Sequence, residues 1–453
     1  MLDILISGGK YPDFAKNELV EANVGIEKGK IAFIGTETPH SRETIDAKDM
    51  IVSPGFIDIH MHEEDFIREG ESYVIAEMML KMGVTTAVGG NCGIQRQRTG
   101  YFKEIIEKLG GSPINYMLLA GYNQRRYELD IPRHQPASEE QRYRIKEELE
   151  KELEGGACGI SFGIEYDPGI STDEIIEILK SFDDRNLLAA AHYRSSCVND
   201  TESIEEMIKI ASEITMKFQI SHLSSCSAMG KMKESLALIK KASSENTRLD
   251  FDTYPYNAFS TTLGSEVFEP GCLERWKKDY DCILLTGEPY KDVRCDEEIF
   301  KNARRNYPDM LAVVFAMNEE EIKEALTCPA GMIASDGIIN SGKGHPRAAG
   351  TFPRVLSKYV REEKVMQLTD SLAKMTVKPA ERLGLKRKGR IELGCDADIV
   401  LFDPDKIADT ADFTDLSPWP EGIEYVFIGG SKAVVNKKIS NGRLGKFIKS
   451  QDR

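Results

Sequence analysis

The fold turns on Ser53-Pro54-Gly55-Phe56-Ile57-Asp58-Ile59-His60-Met61-His62. A Pro-Gly turn feeds a short apolar run that ends on two imidazoles at i,i+2. Side chains alternate across a strand, so this spacing puts both rings on one face. Three acids, Glu63, Glu64 and Asp65, follow directly. A lone His-x-His is a weak metal signal. Here it closes an apolar strand, at the carboxyl end where barrel enzymes keep their chemistry.

The texture on either side supports that placement. Across residues 54–384, short apolar runs alternate with longer amphipathic segments; the runs include Thr85-Val88, Tyr116-Ala120, Gly159-Phe162, Leu187-Ala191, Phe218-Ser221 and Met332-Ala334. Repeated strand-then-helix units predict a parallel α/β sheet, and eight of them close a barrel. The segment Glu139 to Leu153 carries dense charge at i,i+4 and predicts a helix with a solvated face over 138–154. Residues 1–53 and 385–453 read as short strands split by Gly, Asp and Asn turns, so the two ends should meet in one small β-domain. Almost 70 residues separate Thr261 from Pro329, too many for a barrel connection. An inserted subdomain over 263–317 is expected there, either as a lid or as a surface elaboration away from the site.

Composition narrows the function. Acidic residues outnumber basic ones by 74 to 59 in 453, a formal charge of −15 that disfavours phosphate backbones and anionic lipid. No apolar run reaches 18 residues, and the first ten residues lack the pattern of a secretory leader. Nine scattered cysteines without paired spacing read as reduced thiols in a cytoplasmic protein. The expected partner is a small-molecule substrate, with no nucleic acid and no membrane; a homo-oligomer stays open.

Only seven histidines occur, so their positions carry information. His192 and His222 end the apolar runs at 187–191 and 218–221, Asp336 ends the run at 331–335, and Cys92 follows the run at 84–88. Imidazole and thiolate are good zinc donors, and a nearby carboxylate can move protons. A mononuclear or binuclear zinc site built from His60, His62, Cys92, His192 and His222, with Asp336 beside it, is the physical reading.

These motifs resemble the amidohydrolase superfamily, and within it the D-aminoacylase (N-acyl-D-amino-acid deacylase) family. The general marks are Pro54-Gly55-Phe56-Ile57-Asp58-Ile59-His60-Met61-His62 and the run Gly389 to Pro404. Narrower marks are Gly83-Val84-Thr85-Thr86 leading to Gly90-Asn91-Cys92-Gly93, then Gly159 to Tyr166, Tyr254-Pro255-Tyr256, Ser335-Asp336-Gly337, His345-Pro346-Arg347 and Gly350 to Arg354. The resemblance implies a distorted (β/α)8 TIM-type barrel, a small β-sandwich domain from both termini, and an inserted segment. It implies one tight zinc on Cys92, His192 and His222, with Cys92 able to bridge to a weaker second ion on His60 and His62. Asp336 would take a proton from the attacking water and pass it to the leaving nitrogen.

For the substrate, the resemblance points to Tyr166, Tyr254 and Ser260. The family's carboxylate-gripping lysine, two residues after the histidine matching His222, is Ser224 here. Arg194, Arg347 or Arg354 must then take over, or the substrate lacks a free α-carboxylate; His345 and Arg347 are read as bordering the site. The expected activity is hydrolysis of an N-acyl-D-amino acid. A cyclic amide or ureide hydrolase of hydantoinase or dihydroorotase type is the alternative, and a non-catalytic scaffold a third reading. Cys158, Cys197, Cys226, Cys272, Cys282, Cys295, Cys328 and Cys395 read as incidental thiols, and His40 and His134 as solvated. Asp58 and Asp398 read as acids serving backbone donors, Asp58 also as a support for a ligand.

Overall fold

The computed structural model describes residues 1–183, 185–195, 199–246 and 248–452; Cys197 lies outside them. Eight parallel strands form one sheet in sequential order: β1 (Phe56–Asp58), β2 (Val84–Gly89), β3 (Asn115–Gly121), β4 (Gly159–Gly163), β5 (Leu188–His192), β6 (Lys217–Ile220), β7 (Leu249–Thr253) and β8 (Gly331–Ile333). Nearly every residue of these strands is buried, as expected of a parallel sheet covered by helices on its outer face.

The ring closes between β1 and β8 beyond the strands proper. Asp336 N–H donates to His60 O at 2.8 Å, His62 N–H to Gly337 O at 2.8 Å, and Met61 bridges Gly337 in parallel. The seam therefore runs through the first histidine pair and the aspartate.

The terminal residues form one nine-stranded sheet, in which Ile51–Pro54 pairs antiparallel with Ile399–Phe402. It branches at Leu2–Asp13, which pairs with Glu18–Glu27 on one side and with Ser41–Asp46 and Ile51 on the other. Ile6, Val24, Val52, Ile399 and Phe427 fill its separate core. The last stretch leaves this sheet for the foot of the barrel: Gly445 pairs with Ser112, and Phe447 with Tyr116 of β3.

The insertion builds its own four-stranded sheet from Phe259–Thr262, Ile283–Leu285, Val293–Arg294 and Leu311–Val314. It starts four residues before the expected 263, because β-pairing of Phe259 with Val314 opens it. The charged helix Glu139–Glu154 forms with a Ser138–Gln141 capping box. Its face is not wholly solvated, because Glu152 is buried and accepts hydrogen bonds from Thr99 N at 2.7 Å and Gln95 Nε2 at 2.8 Å. Among the described residues, no helix is long and apolar enough to cross a membrane.

Candidate metal centre

At the carboxyl ends of the strands, Cys92 is the hub. Its Sγ lies 3.4 Å from His60 Nε2 and 3.3 Å from His222 Nε2, and it is within hydrogen-bonding reach of His62 and His192. Asp336 Oδ1 stands 3.4 Å from Nε2 of both His60 and His62. His60, Cys92, His222 and Asp336 each offer a ligand atom, all within 4.8 Å of one another. Four histidines, one cysteine and one carboxylate, from the ends of five strands, thus meet in one buried cluster.

Local chain geometry puts them there. Cys92 (φ 54°), His222 (φ 32°) and Asp336 (φ 49°) are all left-handed residues that are not glycine. Such conformers cost on the order of 1–3 kcal/mol and persist where surrounding contacts over-determine them. His222 N–H is fixed by Asp252 Oδ1 at 2.8 Å and Asp336 N–H by His60 O. The loop of Cys92 is tied down by Glu63, whose carboxylate accepts Gly90 N–H and Arg96 N–H, each at 2.7 Å. The acid that follows the histidine pair thus holds the loop of Cys92 in place.

The donor set fits a zinc ion. His192 Nδ1 is buried and has no hydrogen-bond partner among the described residues, while its Nε2 contacts Glu165 Oε2 at 2.8 Å. His222 Nδ1 contacts Ser225 Oγ at 2.8 Å, leaving Nε2 for Cys92 and any ion. His60 Nδ1 lies 3.1 Å from Asp252 Oδ1, at ion-pair distance though off the hydrogen-bond line. His192 and His222 thus each have one nitrogen engaged by a protein oxygen, and His60 has a carboxylate behind its Nδ1, an arrangement that orients the rings.

Burial opposes the charge on Asp336, yet the Arg347 guanidinium and then the neighbouring His222 ring hold its carboxyl well below the usual range. Arg347 Nη2 sits 3.0 Å from Asp336 Oδ2 and 3.2 Å from Ser260 O, and its guanidinium lies over the Tyr254 ring at 4.7 Å. Its Nε and Nη1 are buried without a hydrogen-bond partner among the described residues. His345 borders Arg347 from below: Nε2–H donates to Ala258 O at 3.0 Å, and Nδ1 accepts Arg347 N–H at 3.0 Å. Burial, and then the charge of Arg347, keeps that imidazole neutral.

A cavity of ≈ 30 Å³ opens beside the cluster, lined among others by Tyr166, Ser260 and Asp336. Phe259, Val267 and Trp276 of the insertion also line it, so the insertion supplies part of its wall. Tyr254 is buried behind it, its hydroxyl directed at Met317 Sδ at 3.9 Å.

Arg194 is not brought to the cluster. Its guanidinium is committed to Glu206 at 2.6 Å and to the carbonyls of Pro168 and Ile170. Arg354 is likewise engaged by Asp409 at 2.9 Å and Pro255 O. Ser224 is buried, and its hydroxyl has no partner among the described residues.

Sequence reading passed over three residues. Cys226, expected to be incidental, lines the cavity 3.7 Å from His222 Nδ1 and 4.0 Å from His192 Nε2. Burial raises its thiol, but His192 and His222 together outweigh this and bring it down to about 7. Glu165 and Asp252 support His192 and His60 from elements remote in sequence. Asp58 serves as expected, accepting Ser335 N–H at 3.0 Å and His60 N–H at 3.2 Å, and His40 and His134 are exposed.

Residues 51–433 match the model of the amidohydrolase family. N-acyl-D-glutamate deacylase of Alcaligenes xylosoxydans xylosoxydans is 30% identical, the match covering 99% of this chain and 96% of that protein. D-aminoacylase of the same organism is 28% identical over 98% of this chain and 97% of that protein. The solved structure of N-acyl-D-glutamate deacylase from Bordetella bronchiseptica, complexed with zinc and a phosphonate mimic of the tetrahedral intermediate, superposes with a TM-score of 0.88 at 28% identity, covering 99% of each chain.

Proposed function

Because the chain belongs to the amidohydrolase family, we propose that it hydrolyses the amide bond of an N-acyl-D-amino acid and that Cys92, His192, His222, His60 and His62 hold the zinc for that reaction. The observation that carries this reading is Cys92 Sγ within 3.4 Å of two imidazoles, beside Asp336, at the closing seam of the barrel. Zinc bound there would polarise the amide carbonyl and make water nucleophilic near neutral pH. Orphaned His192 Nδ1 and the supported rings of His192 and His222 favour that occupant over a purely structural cluster.

Asp336 is the proton carrier of this reading. Held as a carboxylate, it takes a proton on Oδ1 from the attacking water and returns it to the leaving nitrogen. Arg347 takes the carboxylate-binding role that the lysine-less position 224 cannot fill. It is buried, and its Nε and Nη1 are unpaired among the described residues. Tyr166 and Ser260, on the cavity wall, and Tyr254, under Arg347, would orient the amide. Arg194 has no part in this.

The test is product release by zinc-loaded protein from N-acetyl D- and L-amino acids and from hydantoin-type ureides, the latter followed by ring-opened product. Turnover of D-amides alone is expected. Turnover of ureides alone would keep the metal chemistry and discard the acyl-amino-acid substrate.

A further inference from the structure

A chain of buried polar side chains runs from the foot of the barrel to the cluster. Arg382, in the helix Val377–Leu383, donates from Nη2 to Phe218 O and from Nε to Gln219 Oε1 at 3.1 Å. Gln219, on β6, donates from Nε2 to Asp252 Oδ2 at 3.1 Å. Asp252, on β7, spends its other oxygen on two ligands: it accepts His222 N–H at 2.8 Å and stands 3.1 Å from His60 Nδ1. Asp252, Gln219, His60 and His222 are all no more than 2% exposed.

We infer that Asp252 is a positioning residue that sets two of the metal-binding histidines at once, and that Gln219 and Arg382 hold it in register. The inference rests on the zinc reading above. One carboxylate oxygen meets a backbone N–H just beyond β6 and a ring just beyond β1, segments on opposite sides of the closing seam. At His222 it satisfies the N–H of a left-handed residue with φ 32°, a costly conformation for a residue with a Cβ. At His60 the carboxylate lies behind the ring at Nδ1, while Nε2 stands 3.4 Å from both Cys92 and Asp336. Gln219 removes the remaining freedom: its amide donates to Oδ2 while its carbonyl is occupied by Arg382, so the amide cannot flip without facing two donors together or losing both bonds. The carboxylate never touches the reacting atoms; it acts through the rings it aims.

The test uses full-length protein and begins with wild type: zinc stoichiometry and affinity by chelator competition, the visible spectrum of the cobalt(II)-loaded form, and steady-state kinetics. Failure of wild type to bind zinc or cobalt would sink the zinc reading itself. Given binding, Asp252→Asn, equal in size and lacking the charge, is expected to weaken metal binding about 10–100-fold, alter the cobalt spectrum, and lower kcat more than it raises KM. Gln219→Met, which keeps the volume and removes both hydrogen bonds, is expected to shift the same readouts in the same direction by less, and decides the matter if Asp252→Asn does not fold. Wild-type metal affinity and an unchanged cobalt spectrum in the folded variant would overturn the role of Asp252.

Discussion

Asp336 meets His60 and His62 through one oxygen and Arg347 through the other. Under the proposed reaction these contacts serve different steps, and two substitutions separate them. Asp336→Asn keeps the size of the side chain, so metal content should stay at the wild-type level while kcat falls ~10²-fold or more; metal analysis beside steady-state kinetics checks both halves. Arg347→Met removes the buried cation, and a lost charge pair of this kind is worth about 2–5 kcal/mol. KM for N-acyl-D-amino acids should rise by about 30-fold or more. An N-acyl amine without a carboxylate should be far less affected, and equal losses on both substrates would assign Arg347 to Asp336 alone.

At the scale of elements, the loop between β2 and the helix Thr99–Lys108 carries Cys92 on a backbone with no slack. Gly93 has φ +73°, and a Cβ there would fall 1.8 Å from Asn123 Oδ1, an atom that accepts Gly163 N–H at 2.8 Å. Gly93→Ala should therefore cost more than about 2 kcal/mol and loosen zinc, seen as a lower unfolding temperature and reduced metal content. The same elements show what a reader of the sequence can reach. The strand-end residues His60, His62, Cys92, His192, His222 and Asp336 were legible because each follows an apolar run, and a run's end in a parallel barrel faces one common surface. Cys226, Glu165 and Asp252 were not, because their roles depend on side-chain direction and on pairing between strands far apart in the chain. Cys226 lies on a short turn of helix after β6, and nothing in Ser224-Ser225-Cys226-Ser227 says which of the four faces His192. The Arg194 reading failed to reach the cluster for a similar reason: Glu206, one helix away, claims the guanidinium. Edges of the insertion shifted because antiparallel pairing, rather than composition, sets where its sheet begins.

For the whole molecule, the opposite end of the barrel offers a separate handle on stability. Lys374 is buried there and donates to the carbonyls of Cys328 and Gly331. Burial, and then the nearby charge of Lys378, pushes its ammonium down to about 7 from the ordinary 10.5. The unfolded chain takes up this proton as pH falls through the ordinary value, whereas the folded chain waits until about 7. The contribution is thus complete above 10.5, is lost as pH falls towards 7, and changes no further below it. Lys374→Met should flatten this part of the stability profile, as measured by urea unfolding at about pH 7 and about pH 9.5. An identical slope in wild type and variant would show that Lys374 stays charged when folded.

The pairing of Ile51–Pro54 with Ile399–Phe402 also sets a schedule for synthesis. The strand that leads directly into β1 has its partner encoded roughly 345 residues later. At ~5–20 residues per second on a ribosome, the first segment is exposed for about 20–70 s before that partner is made. The nascent chain must carry that unpaired edge through the interval, so the sheet that leads into β1 is completed only after the whole barrel has been made.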